Sequence, residues 1–221
     1  MNNTLSYLIV IAVFLGYFFL HSLTASIMMK QWVAKHWPDF MPYYRLMFNA
    51  LAVILSIPLL IVMFLYPGEP LWQWQGVWFY LTSALALSAI IGFIYSVQYY
   101  DTAEFFGTRQ IREQNISVHD QECFHISPFH RYVRHPWYFF ALLLIWTRDV
   151  STVQLLVYSL VSAYFIFGSR LEERKLIAYH GDVYRKYQQK VSGVFPLPWK
   201  ILTKEQAEEL IQEYFKKKEN A

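Results

Sequence analysis

Long apolar stretches without formal charge constrain this chain of 221 residues more than any other feature. Residues 5–29, 46–65 and 77–97 contain no Asp, Glu, Lys or Arg. Each reaches the roughly 20 apolar residues that a helix needs to cross a bilayer. Two shorter runs follow, 137–146 and 152–167, and a run of ten residues crosses a bilayer only where polar residues that extend it are buried in protein. The sequence predicts an all-α, multi-pass membrane protein with five transmembrane helices, the last two forming a helical hairpin.

The composition excludes several other classes of protein. Only 16% of the residues are charged, against roughly 25% in soluble domains. A formal net charge of +3 gives no case for nucleic-acid binding, which needs a concentrated basic face. Cys123 is the single cysteine, so an intramolecular disulfide is excluded. The seven histidines lack the spacing of convergent zinc ligands, and we predict no metal site.

The distribution of basic residues predicts the orientation in the membrane. Of the 19 basic residues, 18 lie in segments that would be on one side of the membrane. Only Arg148, between the last two apolar runs, lies on the opposite side. The positive-inside rule then places the N-terminus outside and the C-terminus in the cytoplasm. The first run lacks the positive n-region of a signal peptide, so we expect it to remain as a span. The expected location is a bacterial cytoplasmic membrane.

The C-terminal end has a pattern of its own. The sequence of residues 203–206, Thr-Lys-Glu-Gln, has the form of a capping box. It precedes a segment whose apolar residues recur at helical spacing, which is typical of an amphipathic helix. We therefore predict one integral membrane domain over residues 1–202 and a C-terminal amphipathic cytoplasmic helix over residues 203–221.

Polar residues interrupt the apolar pattern at a few positions. His21 lies inside the first run, where an ionisable group is a functional hypothesis by default. An interhelical hydrogen bond by a neutral imidazole explains it equally well, and both interpretations stay open. Asp101 and Glu104 follow the third run and form a second group of polar candidates.

The strongest local signal is Arg134-His135-Pro136 at the start of the short fourth run. Pro136 suits the first turn of a helix, where its missing N–H costs nothing. An arginine drawn below the headgroups needs an anionic partner, and its guanidinium offers a bidentate fork for a carboxylate or phosphate. Snorkelling explains most loop arginines, but it explains neither the adjacent His-Pro nor the short run. We therefore favour a functional site here.

A second polar group follows the fifth run. The adjacent carboxylates of Glu172 and Glu173 would be a solvated helix face if taken alone. Tyr184 and Tyr187 come shortly after them. These aromatic residues either line a pocket or pack the tail against the bilayer surface, and the pattern leaves both open.

Together these residues resemble the isoprenylcysteine carboxyl methyltransferase superfamily. The resemblance covers about residues 5–198 and rests first on Arg134, His135, Pro136, Tyr138, Glu172, Glu173, Gly181, Tyr184 and Tyr187. The N-terminal motifs, residues 21–26, 43–46 with Asn49, and 101–110, are similar to those of its methanethiol S-methyltransferase branch. One departure is Phe140, because a small residue is usual two positions after the motif tyrosine.

The resemblance implies an enzyme that uses S-adenosylmethionine as its cofactor. Its acceptor would be a small thiol such as methanethiol, giving dimethyl sulfide, or hydrogen sulfide. The residues implied to hold the cofactor are Arg134, His135, Tyr138, Glu172, Glu173, Tyr184 and Tyr187. A general base would help, because only a thiolate is a good nucleophile, and His21 is the first candidate, with Asp101 and Glu104 behind it.

Two alternatives stay open at this point. One keeps the cofactor and changes the acceptor to a lipophilic one, such as an isoprenylcysteine carboxylate or a lipid amine. The other is a non-enzymatic membrane accessory protein that does not bind S-adenosylmethionine. The expected partners are a small thiol and membrane lipid, and the sequence does not predict the oligomeric state.

Overall fold

The computed structural model describes residues 3–118 and 124–219, most of which are helical. The helices are α1 (Asn3–Ala25), α2 (Ile27–His36), α3 (Met41–Leu65), α4 (Val77–Val97), α5 (Thr102–Phe106), α6 (Thr108–Arg112), α7 (Pro136–Trp146), α8 (Thr152–Lys190) and α9 (Lys204–Glu219). Short 3₁₀ turns occur at Pro38–Phe40 and Phe129–Arg131. Strands β1 (Pro70–Trp72) and β2 (Val150–Ser151) form a small antiparallel ribbon, which the sequence analysis did not predict.

Within the described residues, four helical segments are long and apolar enough to cross a membrane: Thr4–Ala25, Pro38–Leu65, Val77–Val97 and Thr152–Lys190. Helix α7 is apolar but has only 11 residues. The all-α, integral membrane character predicted from the sequence is therefore confirmed. The fifth span and the orientation of the chain stay predictions.

The chain divides into two compact units that interleave along the sequence. The first comprises the described parts of Met1–Gln73, Tyr100–Glu122 and Val150–Leu160. The second comprises Trp74–Tyr99 and the described parts of Cys123–Asp149 and Val161–Ala221.

In the first unit, the first apolar run forms two helices instead of one. Ser26 ends α1 and caps α2, with its hydroxyl accepting a hydrogen bond from the backbone N–H of Met29 at 3.2 Å. Serine is well suited to this position, because its side chain satisfies a backbone donor at the helix start. Helix α3 is tied to α1 by the Tyr44 hydroxyl, which donates to the carbonyl of Thr24 at 2.6 Å.

In the second unit, α7 packs against α4 through an unusually close pair. A Cβ atom added at Gly92 would lie 2.7 Å from the ring of Phe140, so only glycine fits opposite this side chain. The bulky Phe140 is thus accommodated by helix packing. At the start of α7, the indole N–H of Trp137 donates to the Ser96 hydroxyl of α4 at 2.7 Å.

Helix α8 continues well beyond the end of the fifth apolar run. It has 39 residues and bends at Gly181, whose φ of 60° is a left-handed conformation that favours glycine. Residues 168–180, which follow the fifth apolar run, are therefore helical and carry both motif glutamates on one rigid element.

Helix α9 begins with a reciprocal capping box. The Thr203 hydroxyl accepts from the backbone N–H of Gln206 at 3.2 Å, and the Gln206 side chain accepts from the N–H of Thr203 at 3.0 Å. The apolar face of α9 packs into the core of the second unit. That core contains Phe124, Ile126, Val183, Tyr184, Tyr187, Val191, Leu202, Ala207 and Leu210.

Candidate active site

The motif at the start of α7 is held in place by backbone pairing with the segment after α8. Val133 and Ser192 form a parallel β-bridge. The N–H of Arg134 donates to the carbonyl of Ser192 at 2.8 Å, and the N–H of His135 donates to that of Gly193 at 3.1 Å. Because Pro136 starts the helix, Arg134 and His135 project from this extended segment just before α7.

Glu173 of α8 is the centre of the polar network in the second unit. Its Oε1 accepts from Nε of Arg134 at 2.7 Å and lies 3.0 Å from Nε2 of His135. Its Oε2 accepts from the side-chain amide of Gln188 at 2.8 Å. The Glu173 side chain is only 10% exposed. A carboxylate this buried is tolerated because charged and polar donors surround it.

Arg134 also binds the C-terminal end of α8. Its Nη1 donates to the carbonyl of Gln188 at 3.0 Å and to the carbonyl of Val191. A guanidinium at this position satisfies carbonyls that have no partner within the helix and complements the helix dipole. Nε and Nη1 of Arg134 are thus engaged within the protein, an arrangement that the sequence alone did not reveal.

Glu172 occupies a different environment from its neighbour. Its side chain is 47% exposed. Its Oε2 accepts from the Tyr138 hydroxyl at 3.1 Å and lies 3.4 Å from Nδ1 of His135. Of the two motif glutamates, Glu173 is therefore the buried one and Glu172 the one that reaches the surface of this unit.

Three rings stack beside this carboxylate. The imidazole of His135 lies parallel to the ring of Tyr138, with centroids 5.3 Å apart. Tyr138 in turn stacks on Phe165 of α8, with centroids 4.7 Å apart. The stack fixes the orientation of both polar rings, because parallel aromatic contacts restrict their rotation.

His135 is positively charged at neutral pH. Burial by itself lowers its pKa, but the hydrogen bonds and negative charges of Glu172 and Glu173 outweigh burial and raise the pKa to about 9. The nearby His130 behaves oppositely, because burial and the charges of His125 and His135 lower its pKa to about 3. The site thus pairs an arginine and an imidazolium with two carboxylates.

Tyr184 and Tyr187 lie in the core next to this network. Both are 3% exposed and pack with α9 in the hydrophobic cluster of the second unit. The Tyr187 hydroxyl donates to the carbonyl of His130 at 2.6 Å. These contacts hold both rings within the core of the second unit, whereas the sequence had left open a pocket lining or packing against the bilayer surface.

The first unit holds a separate polar cluster at α5 and α6. Asp101 caps α5 by accepting from the N–H of Glu104 at 3.0 Å. Arg109 forms ion pairs with the carboxylates of both Asp101 and Glu104, the second at 3.4 Å. The carbonyl of Phe105 accepts from two side chains of α3, Nε of Arg45 at 3.1 Å and the amide of Asn49 at 2.8 Å. These contacts hold the 101–110 segment against α3.

His21 lies in an aromatic environment in the same unit. Its ring stacks on Tyr17 of α1, with centroids 5.7 Å apart, and contacts Phe48 of α3 at 5.1 Å. Arg45 lies over the same Phe48 ring, with its guanidinium carbon 6.0 Å from the ring centroid. The residues of the first unit that the sequence singled out are thus brought close to α3.

Comparison with known proteins gives relatives along most of the chain. A methanethiol S-methyltransferase of Crocosphaera subtropica is 28% identical over 202 residues, which cover 82% of this chain and 72% of that protein. One of Pseudomonas deceptionensis is 29% identical, covering 80% and 67%, and one of Mycobacterium tuberculosis is 25% identical, covering 78% and 72%. The chain is a homologue of the methanethiol S-methyltransferases. No family model and no solved structure matches it.

The shared name of these homologues indicates a methyltransferase enzyme. The resemblance drawn from the sequence motifs is therefore confirmed. Of the second-unit residues that it implied, the structure brings Arg134, His135, Tyr138, Glu172 and Glu173 into one hydrogen-bonded network.

Several members of this polar network were not found from the sequence. Gln188 and Phe165 complete the network and the stack, but neither belongs to a charged or motif-like pattern. The backbone carbonyls of Ser192 and Gly193 leave no signal in the side-chain sequence at all. Among the described residues, His, Cys, Asp and Glu side chains form no group of three or more that is arranged to hold a metal ion. His119 and Cys123 lie outside the described residues.

Proposed function

We propose that this chain is an integral membrane S-methyltransferase that transfers the methyl group of S-adenosylmethionine to a small thiol. The acceptor would be methanethiol, giving dimethyl sulfide, or hydrogen sulfide. The observation that carries the proposal is the network of Arg134, His135, Glu172 and Glu173 at the start of α7. It occurs in a chain homologous to methanethiol S-methyltransferases over about four fifths of its length.

The donor set of the second unit fits S-adenosylmethionine chemically. The ligand has a ribose diol and an adenine amine that need acceptors, and Glu172 offers a half-exposed carboxylate whose Oε2 alone contacts Tyr138 and His135. The cationic sulfonium would be favoured by the face of Phe165 that does not contact Tyr138. When bound, S-adenosylmethionine supplies an electrophilic methyl group on this sulfonium.

The remaining residues of the network would hold the site in shape. Glu173 fixes His135 and Arg134, and Arg134 fixes the end of α8, so that Glu172 is presented on rigid elements. Tyr184 and Tyr187 would act by packing α8 against α9. In this proposal Glu172, Tyr138 and His135 contact the cofactor, whereas the other implied binding residues position them.

The acceptor must lose a proton, because only the thiolate attacks readily. A thiol of this class titrates near pH 8.5, so a base would raise the thiolate fraction at neutral pH. We retain His21 as the first candidate, since the carboxylates of Asp101 and Glu104 are already engaged in ion pairs with Arg109. The His21→Asn variant should lose the acidic limb of the pH profile of kcat/KM if this assignment holds.

The direct test uses purified protein in lipid nanodiscs. The protein is supplied with S-adenosylmethionine that carries a deuterated methyl group and with methanethiol or hydrogen sulfide, and the headspace is analysed for labelled methyl sulfides. Labelled dimethyl sulfide or methanethiol is the expected product. Bound cofactor without a volatile product would favour a lipophilic acceptor, and absence of cofactor binding would contradict the proposal.

A matched pair of variants tests the role of Glu172. Glu172→Gln removes a charged acceptor from the proposed site and should weaken cofactor binding by about tenfold, the effect of one hydrogen bond to a charged group. Glu113→Gln, which changes an exposed carboxylate paired with Arg112, should bind normally. The measurement is an equilibrium titration with labelled S-adenosylmethionine, and equal affinities of both variants would exclude Glu172 as a ligand.

We also propose five spans with the N-terminus outside and the C-terminus in the cytoplasm. The support is the apolar character of α7 and the basic residues that follow α8. Membrane-impermeant labelling of cysteines introduced at positions 75 and 218 tests it. The expected result in intact cells is labelling at 75 and protection at 218.

A further inference from the structure

We propose that the loop 194–202, here called the Trp199 loop, inserts its exposed apolar side chains into the headgroup region of the bilayer. This contact would anchor the polypeptide segment that supports Arg134 and His135. The inference does not depend on the methyl acceptor or on the cofactor. It concerns an interaction surface of the second unit and commits to phospholipid as the partner.

The Trp199 loop is attached at both ends to the segment that carries the motif. On its N-terminal side, the carbonyls of Ser192 and Gly193 accept from the N–H groups of Arg134 and His135. On its C-terminal side, the N–H of Leu202 donates to the carbonyl of Arg131 at 3.0 Å, and Nε of Arg131 donates to the carbonyl of Leu202 at 3.0 Å. Whatever fixes the loop therefore also fixes residues 131–135.

Between these attachments the loop exposes large apolar side chains. Trp199 is 76% exposed, Phe195 53% and Ile201 42%. Single exposed apolar residues are common on proteins, but three of them on one short loop form a patch of the kind that marks a binding surface. Pro196 and Pro198 restrict the backbone of this loop, so presenting the side chains costs little additional ordering.

Several features identify the partner as lipid. The Trp199 loop is bonded to residues that directly precede α7, an apolar helix, so it lies near the point where the chain meets the membrane. Tryptophan prefers the membrane–water interface because its ring is apolar and its N–H is polar. Lys200, within the loop, supplies a cation for lipid phosphate. Lys204 is close in sequence, but its ammonium group forms an ion pair with the carboxylate of Glu208 at 3.8 Å.

Spin-label accessibility tests the contact directly. Trp199→Cys and Phe215→Cys are each made in a Cys123→Ser background and labelled with a nitroxide in nanodiscs that contain anionic phospholipid. Phe215 is the matched control, because it is an exposed aromatic residue of α9 at 45% exposure. We expect the label at 199 to collide more with oxygen than with a water-soluble nickel chelate, and the label at 215 to do the reverse.

Two results would overturn the proposal. If the water-soluble nickel chelate reached the label at 199 as readily as the label at 215, the loop would lie in water. Spin–spin broadening at position 199 would show a second copy of the chain as the partner. Lys200→Gln should reduce the ratio of oxygen to nickel accessibility at 199 by up to about fivefold, the contribution of one lysine beside an anionic surface, whereas Lys190→Gln should not.

Hydrogen exchange tests the link to the motif. In the variant Phe195→Ser/Trp199→Ser, the amides of Arg134 and His135 should exchange roughly tenfold faster in nanodiscs than in the unmodified protein, because local opening limits exchange. Phe215→Ser is the control and should leave these amides unchanged. Unchanged exchange in the double variant would show that the loop does not support the motif.

Discussion

In the first unit one guanidinium is ion-paired with two carboxylates, whereas in the second unit one carboxylate is ion-paired with two cationic side chains. Arg109 pairs with Asp101 and Glu104 near the surface, and the side chains of Arg109 and Asp101 are 31% and 33% exposed. Glu173 pairs with Arg134 and His135, whose side chains are 12% and 5% exposed. Glu104, whose side chain is 5% exposed, is the buried member of the first cluster. Solvent screens the pair of Arg109 and Asp101, whereas it leaves the second cluster unscreened. The second cluster should therefore be the more costly one to disturb.

The largest difference is expected when the shared carboxylate is neutralised. Glu173→Gln should lower the free energy of unfolding by about 3–5 kcal/mol, because it leaves a buried arginine and a buried imidazolium without their common anion. Asp101→Asn should cost about 1 kcal/mol, since the Asp101 side chain is 33% exposed, asparagine still caps α5, and Glu104 remains to pair with Arg109. Unfolding of each variant in mixed micelles gives the comparison. Equal losses would show that burial does not distinguish the two clusters.

The next effect is a dependence of stability on pH that arises in the second unit. Because the pKa of His135 is raised from 6.5 to about 9, its contribution is complete below pH 6.5 and is lost as the pH rises through 9. The loss should approach about 3 kcal/mol. His130, whose pKa is about 3, stays neutral throughout this range.

Melting temperature measured between pH 6 and pH 10 checks this expectation. The unmodified protein should lose stability across this window, and His135→Gln should give a flatter curve that starts lower. A variant as pH-dependent as the unmodified protein would assign the titration to another group.

The two clusters also differ in how far the sequence predicted them. Arg134, His135 and the Glu172–Glu173 pair stood out because charges beside short apolar runs need a reason. Gln188 did not, because its role arises only when the bend at Gly181 and the end of α8 bring it to Glu173. Such contacts are tertiary, and no local pattern encodes them.

Helix boundaries show the same limit. The fifth apolar run ends at Phe167, and hydropathy alone does not indicate how far the helix continues. Residues 170–178 are rich in Leu, Glu, Arg and Lys, which favour helix, and α8 continues through them. Conversely, the first apolar run was expected to form one span, although Ser26 is of a type that suits a helix cap. Hydropathy indicates which segments are apolar enough to cross a membrane. Helix propensity indicates how far a helix extends beyond such a segment.

A smaller effect separates the two arginines. Arg134→Lys keeps the charge but removes the fork that binds Glu173 and the carbonyls of Gln188 and Val191 together, so we expect a loss of about 2 kcal/mol. Arg109→Lys should cost less than about 1 kcal/mol, because Arg109 and Asp101 are partly exposed and a lysine still pairs with Asp101. Unfolding measurements on both variants check this. Similar losses would mean that the carbonyl contacts at the end of α8 contribute little.

The smallest expected effect concerns the aromatic stack of His135, Tyr138 and Phe165, which lies beside the ion pairs of the second unit. Phe165→Leu keeps an apolar side chain beneath Tyr138 but removes the parallel ring contact, so it should cost about 1 kcal/mol. Phe167→Leu is the control, because Phe167 is 62% exposed two residues further along α8. If the stack orients Tyr138 and His135 for the proposed cofactor, Phe165→Leu should also weaken binding of S-adenosylmethionine severalfold and leave the pH dependence of stability intact. A loss of stability without a loss of binding would restrict Phe165 to packing, because the hydrogen bonds from Tyr138 and His135 to Glu172 would then suffice to orient both rings.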